Sequence, residues 1–208
     1  MATHVVGKAD LLTAANASFA TLGPLAEADW TVKAGEIDLT CRDTVDHIIG
    51  ALVNYSSNLA MRSTHPLPRV RSANTQASIA DLTTSVVTAA TILAELVDAA
   101  PANARGFHPL GSPDPAGYAA MGCNEILVHT ADIAMGLGVP FDPPNDLCAR
   151  ITTRLFPWAP SDLPGWEIEL WCNGRIALPG HPRLEPDWSV QCAPLSEWDG
   201  KIKKRSLT

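Results

Sequence analysis

Glu125 and His129 stand four residues apart in PDPAGYAAMGCNEILVHTADIAMGLG, a stretch that reads as one long helix over 113–138. Side chains four apart on a helix lie one above the other, with Cβ atoms roughly 5–6 Å apart. A carboxylate and an imidazole so placed can close on one metal ion. Their neighbours Ile126, Leu127, Val128 and Ile133 are apolar, which puts the pair against a core. Burying an acid and a histidine without partners is costly, and coordination satisfies both. The third donor must come from another element, and His47 in CRDTVDHIIGALVNYSSNLA is the best placed. A structural polar pair on α-helical spacing, and a helix-surface histidine at 47, are the competing readings. Asp132 shares the inner face and either orients a ligand as an acceptor behind it or bonds to a neighbouring helix.

Two imidazoles and one carboxylate suit zinc, or nickel or iron(II), better than magnesium or calcium. Three protein donors leave at least one open position, the mark of a working site; a closed structural zinc would want a fourth side chain such as Cys. Cys123 is two residues from Glu125 and points to another face of the helix, so it is not counted. His4, His65, His108 and His181 lie in termini, loops or beside Pro and read as surface residues.

Helical periodicity supplies the elements that must hold these groups. Leu11, Leu12, Ala15, Phe19 and Leu22 mark a first helix over 8–23, ended by Gly23-Pro24. Thr40 with Asp43 resembles a capping box and starts a second helix that runs to about Met61, with Val45, Ile48, Ile49, Leu52 and Leu59 on one face. A proline-broken loop over 62–73 carries Arg62, Arg69 and Arg71, and a third helix is expected over 74–99. Asp114 caps the fourth, with Pro115 at its first position. The expected fold is mainly α, a four-helix bundle, with one more short helix over 144–156. A small β segment follows: Trp166–Trp171 alternates in period two, Asn173-Gly174 is a hairpin turn, Arg175–Leu178 returns, and Trp188–Cys192 adds a strand. The division is a bundle over 1–156 and a β segment over 157–208.

The bulk numbers narrow the function classes. A net charge of −7 argues against nucleic acid as the main partner, and the basic run Lys201–Arg205 is short. Five cysteines with no CxxC pair fit reduced thiols better than a disulfide framework. MATHVVGKADLL lacks the features of a signal peptide, and Asp81, Glu95 and Asp98 interrupt the longest apolar run. The expectation is a soluble cytoplasmic protein with no membrane partner; a homodimer is left open.

CRDTVDHIIGALVNYSSNLA, GCNEILVHTADIAMGLG and RLFPWAP, with WCNGRIALPG and CAPLSEWDG, resemble actinobacterial proteins of the DinB-like superfamily. They are similar to the group with the mycothiol-dependent maleylpyruvate isomerase N-terminal domain, over nearly the whole chain. The resemblance implies a DinB-like bundle whose metal, usually zinc, is held by a His of the second helix and a Glu and His of the fourth, at His47, Glu125 and His129. It also implies thiol chemistry, with mycothiol or a similar low-molecular-weight thiol acting on a small electrophile. The thiolate then either adds to an activated double bond and leaves after rotation, an isomerisation, or displaces a leaving group, an S-transfer. The C-terminal region departs from the characterised isomerases, so no catalytic residue is carried over there.

Two substrate contacts are suggested by position. Asn54 lies two turns from His47 and either lines the cavity or is an exposed amide. Arg175 meets an anionic substrate if the C-terminal segment covers the bundle mouth, or is a solvated turn residue. Trp158 and Trp171 read as packing groups. Other classes stay open: a non-catalytic binding or regulatory protein that keeps the metal for stability, and a metal hydrolase in which water replaces the thiol.

Overall fold

Short polar side chains just ahead of apolar runs set where the helices begin. The computed structural model describes residues 5–68 and 74–204. Its helices are α1 (Lys8–Leu22), α2 (Cys41–Met61), α3 (Ile79–Ala99), α4 (Pro115–Leu137), α5 (Asn145–Leu155) and α6 (Gly165–Cys172). Thr40 Oγ1 accepts from the Asp43 N–H at 3.0 Å to open α2, and Asp114 Oδ1 accepts from the Gly117 N–H at 2.8 Å to open α4. α3 starts later than residue 74 because Asn74 is used in a turn, accepting from the Gln76 N–H, while Ser78 takes the cap. His4, Arg69, Arg71 and Arg205 lie outside the described residues.

α1 packs on α3 and α4, and α2 packs on the same two, so the order round the bundle is α1, α3, α2, α4. Leu11, Leu52 and Leu93 reach the centre from three helices and are fully buried. They converge on Gly122 of α4, where a Cβ would come within 2.8 Å of Leu11 Cδ2 and 2.9 Å of Leu93 Cδ2. Glycine at 122 therefore sets how closely three helices approach the fourth. α3 has the length and apolarity of a membrane-crossing helix, since its acids lie toward its ends. Its Leu82, Val86, Ala90, Leu93 and Val97 are buried in the bundle.

The protein is mainly helical, and the expected β segment is corrected. Trp166–Trp171 lies inside α6, which packs on α5. Arg175–Leu178 and Trp188–Cys192 form no strands, only isolated bridges between Leu178 and His181 and between Trp188 and Lys204. Period two puts Glu167 and Glu169 on one face, but Glu167 is exposed and Glu169 is fully buried. Burial pushes its carboxyl up to about 8, beside the Cys148 thiol. Asn173-Gly174 serves as a helix end in place of a hairpin, with Gly174 at φ +68°; both uses need a left-handed residue.

The last segment is tied back to the bundle by one guanidinium. Arg154 Nη1 donates to the Gln191 carbonyl at 2.9 Å, and Nη2 donates to the Cys192 carbonyl at 3.0 Å and to Asp114 Oδ1 at 2.6 Å. The Gln191 N–H donates to the Leu155 carbonyl at 2.7 Å. Residues 189–193 are thus laid beside the N-terminus of α4.

Candidate metal centre

α2 and α4 are neighbours in the bundle, and their facing turns bring His47 to Glu125 and His129. The donor atoms of the three side chains all lie within 4.8 Å of one another. His47 Nε2 and His129 Nε2 each stand 3.4 Å from Glu125 Oε2. Charge-assisted N–H···O bonds are about 2.7–2.9 Å, and Glu125 Oε2 is a buried oxygen with no hydrogen-bond partner among the described residues. Donors about 2.0–2.1 Å from a tetrahedral zinc ion lie about 3.3 Å apart. The spacing, the orphaned oxygen and the donor set therefore fit a divalent metal. Side-chain exposure is 44 % for His47, 23 % for Glu125 and 16 % for His129, so the site opens on the His47 side.

A chain of contacts fixes the inner imidazole. His129 Nδ1 donates to Asp132 Oδ2 at 3.0 Å. Asp132 in turn takes both arms of Arg175, Nε at 3.1 Å on Oδ1 and Nη2 at 2.6 Å on Oδ2. With Nδ1 engaged, Nε2 is the nitrogen turned to Glu125. Burial opposes charge on each member, but their mutual contacts outweigh it. The imidazoles of His129 and His47 standing beside it hold Glu125 well below the usual carboxylate range. The bond to Asp132 and the Glu125 carboxylate beside it raise His129 to about 9. His129 and Arg175 keep Asp132 below its ordinary value.

The other oxygen of Glu125 has its own partner: Tyr55 Oη donates to Oε1 at 3.0 Å. Two chambers meet here. One, of about 440 Å³, is lined mainly by α2, including Asp43, Asp46, Asn54 and His47. The other, of about 360 Å³, runs under the C-terminal segment, with Met121, Asn124, Asn173, Arg175, Trp188 and Val190 in its wall. Glu125, Tyr55 and His108 line both.

The structure thus brings Asp132 and Arg175 to the site, Asp132 behind His129 and Arg175 paired with Asp132 in the wall of the second chamber. Asn54 lines the first chamber. Cys123 is buried away from the donors, and all five cysteines are buried and unpaired. Trp158 and Trp171 pack edge to face at 5.7 Å. Comparison with family models, with curated proteins and with solved structures finds no match.

Two site residues escaped the reading of the sequence. Tyr55 falls on the α2 stripe of Val45, Ile48, Leu52 and Leu59, and a phenol in such a stripe needs a polar partner; that signal was there to read. His108 was placed on the surface, and the structure corrects this: it is half-buried and lines both chambers. Its loop between α3 and α4 has no periodicity, so no local signal marks it.

Proposed function

We propose that the chain is a metal-dependent enzyme that uses a low-molecular-weight thiol, of the mycothiol type, to transfer sulfur to or isomerise a small electrophile. The observation that carries this reading is Glu125 Oε2, buried between two imidazole nitrogens without a hydrogen-bond partner among the described residues. Sequence likeness to the DinB-like, mycothiol-dependent maleylpyruvate isomerase group supports the same ligand set. Zinc is the expected metal, with nickel or iron as the other borderline choices. Bound at His47, Glu125 and His129, it would act as a Lewis acid that turns a thiol of pKa roughly 8.5 into thiolate at neutral pH.

The chain's own residues do the rest. Asp132 and Arg175 keep the His129 ring in one tautomer. Tyr55 holds the second oxygen of Glu125, which leaves Oε2 as the ligating atom. Asn54 lines the chamber on the open side, where a thiol would enter. The protein's own thiols are unsuited to act as the nucleophile, since burial raises those of Cys123, Cys148, Cys172 and Cys192. Two chambers meeting at one carboxylate support a two-substrate reaction over a structural metal.

The test is metal content by mass spectrometry on tag-free protein, beside His47→Ala, Glu125→Ala and His129→Ala. About one metal ion per chain, lost in each variant, is the expected result. A cobalt-substituted sample should then change its visible spectrum on addition of mycothiol. Wild type that stays metal-free after reconstitution would sink the reading.

A further inference from the structure

The second chamber has an apolar wall. The bundle and α5 supply Met121, Val128 and Leu155, all buried, and the C-terminal segment supplies Trp188 and Val190. Its volume of about 360 Å³ gives room for one aromatic ring with a short side chain. The chamber reaches the metal centre through Glu125 and His129, which line it as well.

Its polar groups are largely committed to one another. Among the described residues that line it, Arg175 is the one arginine or lysine. Asp132 accepts from its Nε at 3.1 Å and from its Nη2 at 2.6 Å, and the Asn173 carbonyl accepts from Nη1 at 2.7 Å. Asp132 is 3 % exposed, and its contacts with His129 and Arg175 keep it ionised. The charge of Arg175 is thus matched inside the protein. The Asn124 and Asn173 amides bond each other at 3.1 and 2.7 Å. His108 Nδ1 accepts from the Leu110 N–H at 3.3 Å, as only an uncharged imidazole nitrogen can.

A carboxylate entering this chamber would leave water beside Glu125 and meet an arginine already held by its own counter-ion. Burying a charge without a partner is costly, whereas an apolar body gains from every contact with the wall. The centre itself offers no surplus charge, since Glu125 and one bound thiolate cancel a divalent ion. We infer that the second chamber takes the electrophile, and that this electrophile is an uncharged molecule with an apolar, ring-sized body, not an organic acid. The Asp132–Arg175 pair is the selecting device, because it neutralises the chamber's arginine before any substrate arrives. The inference names the second substrate of the thiol-transfer reading above and rests on that reading.

The matched probes are benzylacetone and hydrocinnamate, which share a phenethyl body and end in a methyl ketone and a carboxylate. Each is titrated into the zinc-loaded full chain with isotope-labelled methionine methyl groups, the Met121 signal being assigned from Met121→Leu. Benzylacetone should move that signal and bind about tenfold or more tighter than hydrocinnamate. Asp132→Asn, saturated with zinc, should narrow the gap, because Arg175 keeps its charge and loses its counter-ion. A Met121 signal blind to benzylacetone overturns the inference. So does hydrocinnamate bound as tightly as the ketone, or a gap as wide in Asp132→Asn as in wild type.

Turnover gives a second check, with mycothiol and either benzylideneacetone or the same enone carrying a carboxylate on the far side of its ring. In both, sulfur bonds to the β-carbon and the thiol proton ends on the α-carbon, so no other reactant is needed. After subtraction of the uncatalysed rates, kcat/KM should favour the uncharged enone by about tenfold or more; equal values overturn the inference. A cobalt spectrum blind to mycothiol instead overturns the thiol reading, while the ketone titration needs no thiol and still decides which charge the chamber admits.

Discussion

Tyr55 on α2 donates its phenolic proton to Oε1 of Glu125 on α4, across 3.0 Å. The bond divides the labour of one carboxylate, since Oε1 is satisfied by the protein and Oε2 is left facing His47 and His129. Tyr55→Phe frees Oε1 to compete and leaves a part-buried carboxylate oxygen without its phenol donor. A bond to a charged group contributes about 1.5–3 kcal/mol. The expected outcome is a loss of that order in the urea unfolding of metal-free protein, together with weaker metal binding in chelator competition.

Asp132→Asn removes the charge and one of the two acceptor oxygens that serve His129 Nδ1 and the Arg175 guanidinium. Losing such an outer partner costs about 10–100-fold in metal affinity. Chelator competition should show a loss of that size with the far-UV dichroism unchanged. Arg175→Ala should give a smaller loss, because Asp132 still reaches His129.

Metal binding should strengthen with pH. In the metal-free site His129 is raised to about 9 by its two carboxylate neighbours, and an imidazole must be neutral on its ligating nitrogen. Below about 9 the metal displaces a proton, so affinity climbs by up to about tenfold per pH unit and then levels off. For the metal-free protein the sign is opposite. The folded value lies above the ordinary 6.5, so this group's stabilisation is complete at lower pH and is lost as pH rises through about 9. Isothermal titration and urea midpoints across that window check both signs.

Glu169 makes metal-independent stability fall as pH rises. Its folded value near 8 lies above the ordinary 4.5, so between the two the native state holds a proton that the unfolded chain has released. Stability is full below about 4.5 and declines toward about 8. Glu169→Gln, which is neutral throughout, should flatten that decline and raise the urea midpoint at alkaline pH. A wild-type profile as flat as that of Gln would count against a buried, neutral acid.

Gly122→Ala tests the bundle centre. A methyl group there meets Leu11, Leu93 and Leu52 at 2.8, 2.9 and 3.3 Å. Overpacking of this kind costs about 1–3 kcal/mol. The urea midpoint should fall accordingly, and pairing the change with Leu93→Val should recover part of it.

Where the chain was legible, local rules and tertiary packing agreed. Thr40, Asp114 and Pro115 are helix-start signals that act within one turn, and α2 and α4 begin where these residues place them. The four-residue step from Glu125 to His129 put both on one face, and the flanking apolar residues placed that face inward. The failures come from interactions that sequence spacing does not encode. Period two in WEIELW sets Glu167 and Glu169 on one face, and the burial of Glu169 between α5 and α6 is a property of the packed pair. His108 reaches the site through a turn closed by Gly111 and a bond from Tyr118, neither of which leaves a repeating pattern.

The donor set belongs wholly to α2 and α4, while one wall of the second chamber is Trp188, Ser189 and Val190, held down through Arg154. Under the proposed function, reactivity and selectivity would reside on separately mutable parts of the chain. Substitution along 188–190 can reshape what the chamber admits without moving His47, Glu125 or His129, so one bundle could serve many acceptors by exchanging its tail.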